Sequence, residues 1–336
     1  GEPVVEAAQR AFHGDGLGAV VRATLERNGT LRPNDTAHQR LRAAFSTSDI
    51  SNILSSVAGK VLLSEYRQLP ATWRSFAAVR STPDLKDASL LRTVLTGSLE
   101  EVAPNGEIKH GKQGDEKINV SLGTFAKMIS IPRRDLINDD LGALQTLPGS
   151  LARMAMRSLN DAVWTKIIAG AATHFTAPRG NYISGAGTAL SVTSLQQAVS
   201  LFRMQKDAAG NNLDLAPAVL VVPGALEFSA RSILTSTEIR DTTASTRYGT
   251  SNPVADLGLK LEIEPRLDAD SLTAWYLFGP PVDSPLAVLF LDGVDAPTVE
   301  TSDADFDTLG VQMRVFHDWG ISLGDYRAGA KSKGAA

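Results

Sequence analysis

Residues 89–131 constrain this chain more than any other stretch. "SLLRTVLTGSLEEV" (89–102) alternates weakly, through Leu91, Val94 or Leu95 and Leu99. "KINVSLGTFAKMISI" (117–131) alternates clearly, with Ile118, Val120 and Leu122 on one face. Phe125, Ile129 and Ile131 then take the other face, so the strand changes environment near Gly123. Between the arms lies "PNGEIKHGKQGDEKI" (104–118), which opens on turn formers and offers almost nothing to a core. A strand rises about 3.3 Å per residue, so arms of roughly ten residues reach about 30 Å. An isolated two-stranded ribbon is marginally stable in water. The ribbon must therefore pack on its own domain or lie across another molecule, and its polar tip argues against burial at home.

The flanking sequence predicts an α+β chain. Residues 1–46 read as a solvated arm, broken by Asn28-Gly29 and Pro33. Residues 48–68 repeat apolar side chains at helical spacing and stop before Pro70. Trp73 and Phe76 follow as core anchors. Asn138, Asp139 and Asp140 are N-cap candidates for a helix that Pro148-Gly149 interrupts. Pro148 then opens a second, long helix ended by Gly170, with Leu151, Met154, Leu159, Val163 and Ile167 on its stripe. A third helix spans 193–207, with a Thr193/Gln196 capping box and a stop at Gly210. "AVLVVP" (218–223) is a central strand buried on both faces. "LKLEIEP", "AWYLFGP" and "LAVLFLDG" are further strands, 235–258 is a polar loop, and "AKSKGAA" (330–336) is a frayed tail.

Catalytic and ligand signatures are sparse. With no cysteine, disulfides and thiolate chemistry are excluded. A net charge of −4 without a dense Lys/Arg cluster leaves no footprint for gripping nucleic acid. No apolar run approaches the ~20 residues that span a bilayer. The nucleophile elbow, the phosphate-binding P-loop and the paired-histidine zinc motif are missing. "SGAGTAL" (184–190) lacks the strand context of a phosphate cradle. His317-Asp318 is at most half of a triad, and a hydrogen-bonded strand histidine is the better reading. Asp303, Asp305 and Asp307 alternate like a calcium loop, but Thr308 and Arg314 stand where it needs Gly and Glu. No cofactor or metal is expected. A marginal ribbon, an arm and a long polar loop gain stability by covering neighbours, which points to an obligate assembly.

"INDDLGALQTLPGSLARMAMRSLNDAVWTKI", "FTAPRGN", "GEIKHG" and "ETSDADFDTLGVQMRVFHDWGISLGDYRAG" together resemble the Mu-like phage major head subunit family, including the capsid part of prohead protease–capsid fusions. The likeness runs from about Ser48 to Lys333. It implies the Hong Kong 97 type capsid fold: an N-terminal arm (1–78), an extended β-hairpin loop (79–131), a peripheral domain with a spine helix (132–215), an axial domain with a mixed sheet (216–298), and closing strands with a tail (299–336). It also makes Gly1 a candidate maturation cut.

The implied function is a major capsid protein of a tailed phage or phage-like particle, forming pentamers and hexamers of an icosahedral shell around double-stranded DNA. It would assemble in the bacterial host cytoplasm and reside in the virion. The implied partners are further copies of the chain, a portal, and decoration or scaffolding proteins; no membrane is involved. Intersubunit contacts are expected from the loop residues Glu100, Glu101, Glu107, Lys109, His110, Lys112, Asp115, Glu116 and Lys117. No isopeptide cross-link is expected, because no partner asparagine can be named. The rival readings are an encapsulin-like protein compartment and a hydrolase using His317 and Asp318.

Overall fold

The computed structural model describes residues 59–96, 112–132, 141–207, 210–239, 250–303 and 310–335. The chain divides into two compact units. One holds Gly1–Pro70, Thr124–Ser158 and Val294–Asp318; the other holds Ala71–Gly123, Leu159–Gly293 and Trp319–Ala336.

In chain order the elements begin with α1 (59–68), β1 (Ala78–Thr82), β2 (Ala88–Thr96), β3 (Lys112–Val120) and β4 (Gly123–Pro132). The helix α2 (Leu141–His174), β5 (Tyr182–Ile183), α3 (Val192–Arg203), β6 (Val219–Val222) and α4 (Glu227–Thr235) follow. Next come β7 (Glu238–Ile239), β8 (Thr250–Ser251), β9 (Lys260–Ile263), β10 (Trp275–Phe278) and β11 (Leu286–Leu291). β12 (Thr298–Asp303), β13 (Gly310–Leu323) and β14 (Gly329–Ser332) close the chain.

The second unit is built on a mixed sheet in the order β5-β14-β10-β6-β9. β6 runs antiparallel to β10 and parallel to β9. All four of its residues are buried, as a strand paired on both edges and covered on both faces requires. Alternate residues face opposite sides. Val219, Val221, Tyr276 and Phe278 join one core with Trp164 and Ile167 of α2. Leu220, Val222, Trp275 and Leu277 join another with Leu195 and Phe202 of α3. The expected anchors Trp73 and Phe76 are both fully buried, and the Phe76 ring stacks on Phe278 at 4.2 Å. Full burial of one such ring contributes about 1.5–3 kcal/mol. β11 pairs with β1 on one edge and with the Trp319–Leu323 end of β13 on the other.

In the first unit, β12 pairs antiparallel with the 311–316 stretch of β13, and Arg314 bonds Glu300 across that ladder. Leu62 and Tyr66 of α1 are buried there, as are Leu151 and Met156 of α2.

Several expectations need correction. α2 is one continuous helix that runs through Pro148 and past Gly170. An interior proline costs about 3 kcal/mol, yet Pro148 and Gly149 are buried along with Leu151 and Ala152, and this burial offsets the lost backbone bond. Gly170 does not stop the helix; a Cβ there would run into Leu323 Cδ1. The cap of α3 is Ser191, in a reciprocal capping box with Ser194, and the helix ends at Arg203 rather than near Gly210.

The environment does change near Gly123, since β3 ends at Val120 and β4 starts a new pairing with β13. The new environment is surface, however: Phe125 is 47% exposed. The tail is not frayed either. β14 lies between β10 and β5, Ser332 is fully buried, and Ala335 exchanges hydrogen bonds with Thr188. Gly334 has φ +70° with the Thr273 carbonyl against its Cα, so only glycine fits.

Candidate functional site

The ribbon exists as the alternation predicted. β2 and β3 pair antiparallel from Ala88↔Val120 to Thr96↔Lys112, and no third strand joins them among the described residues. Its root is held on the β11/β13 sheet. Val120 and Leu122 are buried against Ala287 and Leu289, the face of β11 opposite Val288 and Phe290. The chain crosses β13 so closely that a Cβ on Gly320 would stand 2.6 Å from the Ser121 carbonyl oxygen.

The segment that leads into the ribbon is pinned by a polar circuit. Thr72 begins a short 3-10 turn (Thr72–Ser75) and donates through Oγ1 to Glu264 Oε2 at 2.5 Å. Trp164 Nε1 of α2 donates to the same hydroxyl, and Trp73 Nε1 donates to Asn160 Oδ1. Glu264, 1% exposed, also accepts from the Arg266 backbone N–H and guanidinium. Arg266 Nε reaches back to Asp161 on α2 at 2.6 Å. Burial alone would lower the Arg266 pKa, but hydrogen bonds to Asp161 and Glu264 and their charges raise it. A buried carboxylate is tolerated only when matched this completely.

The "FTAPRGN" motif caps the end of α2. The Arg179 guanidinium donates to the Thr173 and His174 carbonyls and stacks over Tyr326 at 4.6 Å. Asn181, 1% exposed, donates to the His174 and Tyr326 carbonyls and accepts from the Thr176 N–H. Positive charge and donors suit a helix C-terminus. Burial, followed by the Arg179 charge, pulls the His174 pKa down to about 4. The "SGAGTAL" loop serves the chain itself: the Thr188 carbonyl accepts from Trp275 Nε1 and Ser332 Oγ.

The polar 235–258 stretch has a defined base. β7 and β8 pair antiparallel, and Asn252, 2% exposed, donates to the Ile233 and Ser236 carbonyls at the end of α4. Its Oδ1 accepts from the Val254 N–H. The segment 240–249 lies outside the described residues.

Of the expected contact residues, Glu100, Glu101, Glu107, Lys109 and His110 lie outside the described residues. Lys112, Asp115, Glu116 and Lys117 fall on β3, in register with Thr96, Thr93, Arg92 and Leu91. The Asn138–Asp140 cap and Asp305 and Asp307 also lie outside the described residues. His317 and Asp318 are neighbours on β13 and so face opposite sides of the strand. His317 is buried edge-on against Tyr66, and Asp318 accepts from Thr124 Oγ1. That geometry does not join them into a triad. Sequence reasoning missed Gly320, Glu264 and Asn252, whose partners lie far away in the chain.

The model of the phage capsid protein family matches residues 115–332, about two thirds of the chain. The chain belongs to the phage capsid protein family. A solved structure from Microbacterium phage Oxtober96 is similar to it at 14% identity and TM-score 0.50, covering 78% of this chain and 90% of that one. The capsid structure of cyanophage P-SCSP1u aligns at 13% identity and TM-score 0.48, covering 77% and 86%. The holo-SrpI encapsulin of Synechococcus elongatus PCC 7942 aligns at 12% and 0.47, covering 80% and 89%. No curated protein sequence matches the chain. The capsid protein has the Hong Kong 97 type fold expected from its sequence, and it is a major capsid protein. The family match does not extend to the Mu-like subtype.

Proposed function

We propose that this capsid protein forms the pentamers and hexamers of an icosahedral phage head, with the β2–β3 ribbon laid over the adjacent subunit and double-stranded DNA enclosed. The observation that carries this reading is the ribbon, paired to no third strand among the described residues and held at its root by Val120 and Leu122. Such a ribbon needs a surface to lie on, and a shell of identical copies supplies one.

Glu100, Glu101, Glu107, Lys109, His110, Lys112, Asp115, Glu116 and Lys117 then make the contacts between subunits. Each exposed pair contributes about 0–1 kcal/mol, so many repeats carry the shell. The arm (1–78), extended loop (79–131), peripheral domain (132–215 with 299–336) and axial domain (216–298) follow the layout implied by the Mu-like resemblance. Portal, scaffolding and decoration proteins are the further partners, assembly takes place in the host cytoplasm, and the protein acts as a structural subunit rather than an enzyme.

Negative-stain microscopy of the purified protein tests this reading. Uniform shells containing nucleic acid support it. Shells filled with protein cargo would favour a compartment instead, and a monomer at every concentration would overturn assembly. Lys109→Glu and Glu107→Lys should each lower shell yield; if both leave assembly untouched, the tip is only a solvated turn.

A further inference from the structure

We infer that Arg179, Arg203 and Lys206 form a contact surface for the phosphate backbone of duplex DNA. This rests on the reading that the shell encloses double-stranded DNA, and it names the part of each subunit that the DNA meets. No stretch of the sequence is densely basic; the cluster exists because three distant segments come together in the second unit.

Hydrogen bonds fix the meeting point. Gln205 is buried and donates through Nε2 to the Arg179 and Gly180 carbonyls at 3.2 and 2.8 Å. That holds the 177–180 turn against the end of α3. Arg327 Nε donates to the Lys206 carbonyl at 2.9 Å, which brings in the 326–328 turn. Arg203 closes α3, and Lys206 lies just beyond it.

All three cations are exposed, and none has a carboxylate within ion-pair distance among the described residues. Elsewhere Arg153, Arg231, Arg266 and Arg314 are each paired with an acid. Arg327 is buried and matched by Asp325 at 3.0 Å, so it scaffolds the cluster without adding to its charge. Asp207 opposes its neighbour Lys206, and its carboxylate accepts from the Asn211 backbone and side-chain N–H groups at 2.8 and 3.0 Å. The cluster stays positive in a chain whose net charge is −4.

Helix capping accounts for part of this arrangement. Arg179 Nη1 serves the Thr173 and His174 carbonyls at the end of α2, and Arg203 suits the dipole of α3. Lys206 lies past the helix, and neither it nor Arg203 donates a side-chain hydrogen bond among the described residues. Two free cationic heads beside a third fixed on backbone suit a line of negative charge better than a single ion. The Tyr326 ring already carries Arg179 at 4.6 Å and Arg327 at 4.9 Å, so it is no bare platform for bases. The contact is with phosphates, which position a duplex without reading its sequence. One subunit holds DNA weakly, and repetition over many copies makes the contact count.

The test measures fluorescence anisotropy of a labelled duplex with the purified full-length protein as free subunits. Three phosphate contacts predict a loss of affinity of about 40-fold between 50 and 200 mM salt. Arg203→Gln/Lys206→Gln should cut that loss to about fourfold, and either single variant to about 12-fold. Arg231→Gln, which removes a paired cation on α4, should behave like the parent. No binding at 50 mM salt, or a salt dependence that the substitutions leave unchanged, would overturn the assignment. Tighter binding of a peptide carrying the acidic 98–108 segment than of the duplex would also overturn it, because the cluster would then face the ribbon of another copy. Free subunits are read, so the outcome does not depend on whether shells form.

Discussion

Gly320 and Ser121 meet with no room for a side chain: a Cβ on Gly320 would lie 2.6 Å from the Ser121 carbonyl oxygen and 3.3 Å from Val120 Cγ1. The obstacle is backbone, which cannot rotate away as a side-chain end can. The root of the ribbon is therefore fixed by a glycine on a strand some two hundred residues away in sequence.

Gly320→Ala should displace the 120–122 crossing and expose Val120 and Leu122. Overpacking of this kind costs about 1–3 kcal/mol. Limited proteolysis should then cut the ribbon earlier than in the unaltered protein. A variant with unchanged melting temperature and unchanged cleavage would show that the crossing shifts at no cost.

Glu264→Ala should weaken the second unit strongly. It strips the acceptor from Thr72 and leaves the half-buried Arg266 with only Asp161. Loss of one partner of a buried pair costs about 3–5 kcal/mol, and partial exposure of Arg266 places this case near the lower figure. Urea unfolding at pH 7 measures it; a loss well below 1 kcal/mol would mean the circuit is not holding the 71–76 segment.

Asn252→Ala removes the donor to the Ile233 carbonyl and to the Ser236 carbonyl and hydroxyl, and the acceptor for the Val254 N–H, at the base of the β7–β8 pair. Buried groups left unpaired cost about 1–3 kcal/mol. Amide hydrogen exchange should accelerate at Val254 while remaining slow in β6 and β10. Uniform acceleration across the sheet would point to global unfolding instead.

Stability should fall with acid through His174. Its folded pKa is about 4, against 6.5 for the free side chain. Between those values the unfolded chain binds a proton that the folded chain refuses. The contribution of His174 is thus fully present above about pH 6.5 and is lost as pH falls towards 4, by roughly 3 kcal/mol in all. His174→Phe should flatten that part of the stability–pH curve. An unchanged slope would place the acid sensitivity elsewhere.

Much of this architecture could be read locally. The apolar runs of β6, β10 and β11 mark strands covered on both faces, and all of their residues except Leu291 are buried. Trp73 and Phe76 declared themselves as anchors by size and hydrophobicity alone. The alternation on both sides of a polar tip identified the ribbon, because a period of two residues is a property of the strand itself. The sequence motifs likewise sufficed for the capsid family.

Tertiary structure decided what depends on distant partners. Whether a proline ends a helix depends on what the next turn can bury, so the continuity of α2 through Pro148 followed from Leu151, Ala152 and Met156. A short, small-residue segment such as "AKSKGAA" carries no periodic signal, and β10 and β5 made part of it a strand by offering it a slot between them. Gly320, Glu264 and Asn252 look ordinary in sequence; their roles come from backbone and side chains that reach them only after folding. Local periodicity reports which face is buried, whereas close approach and hydrogen-bond partners are fixed by the packed chain as a whole.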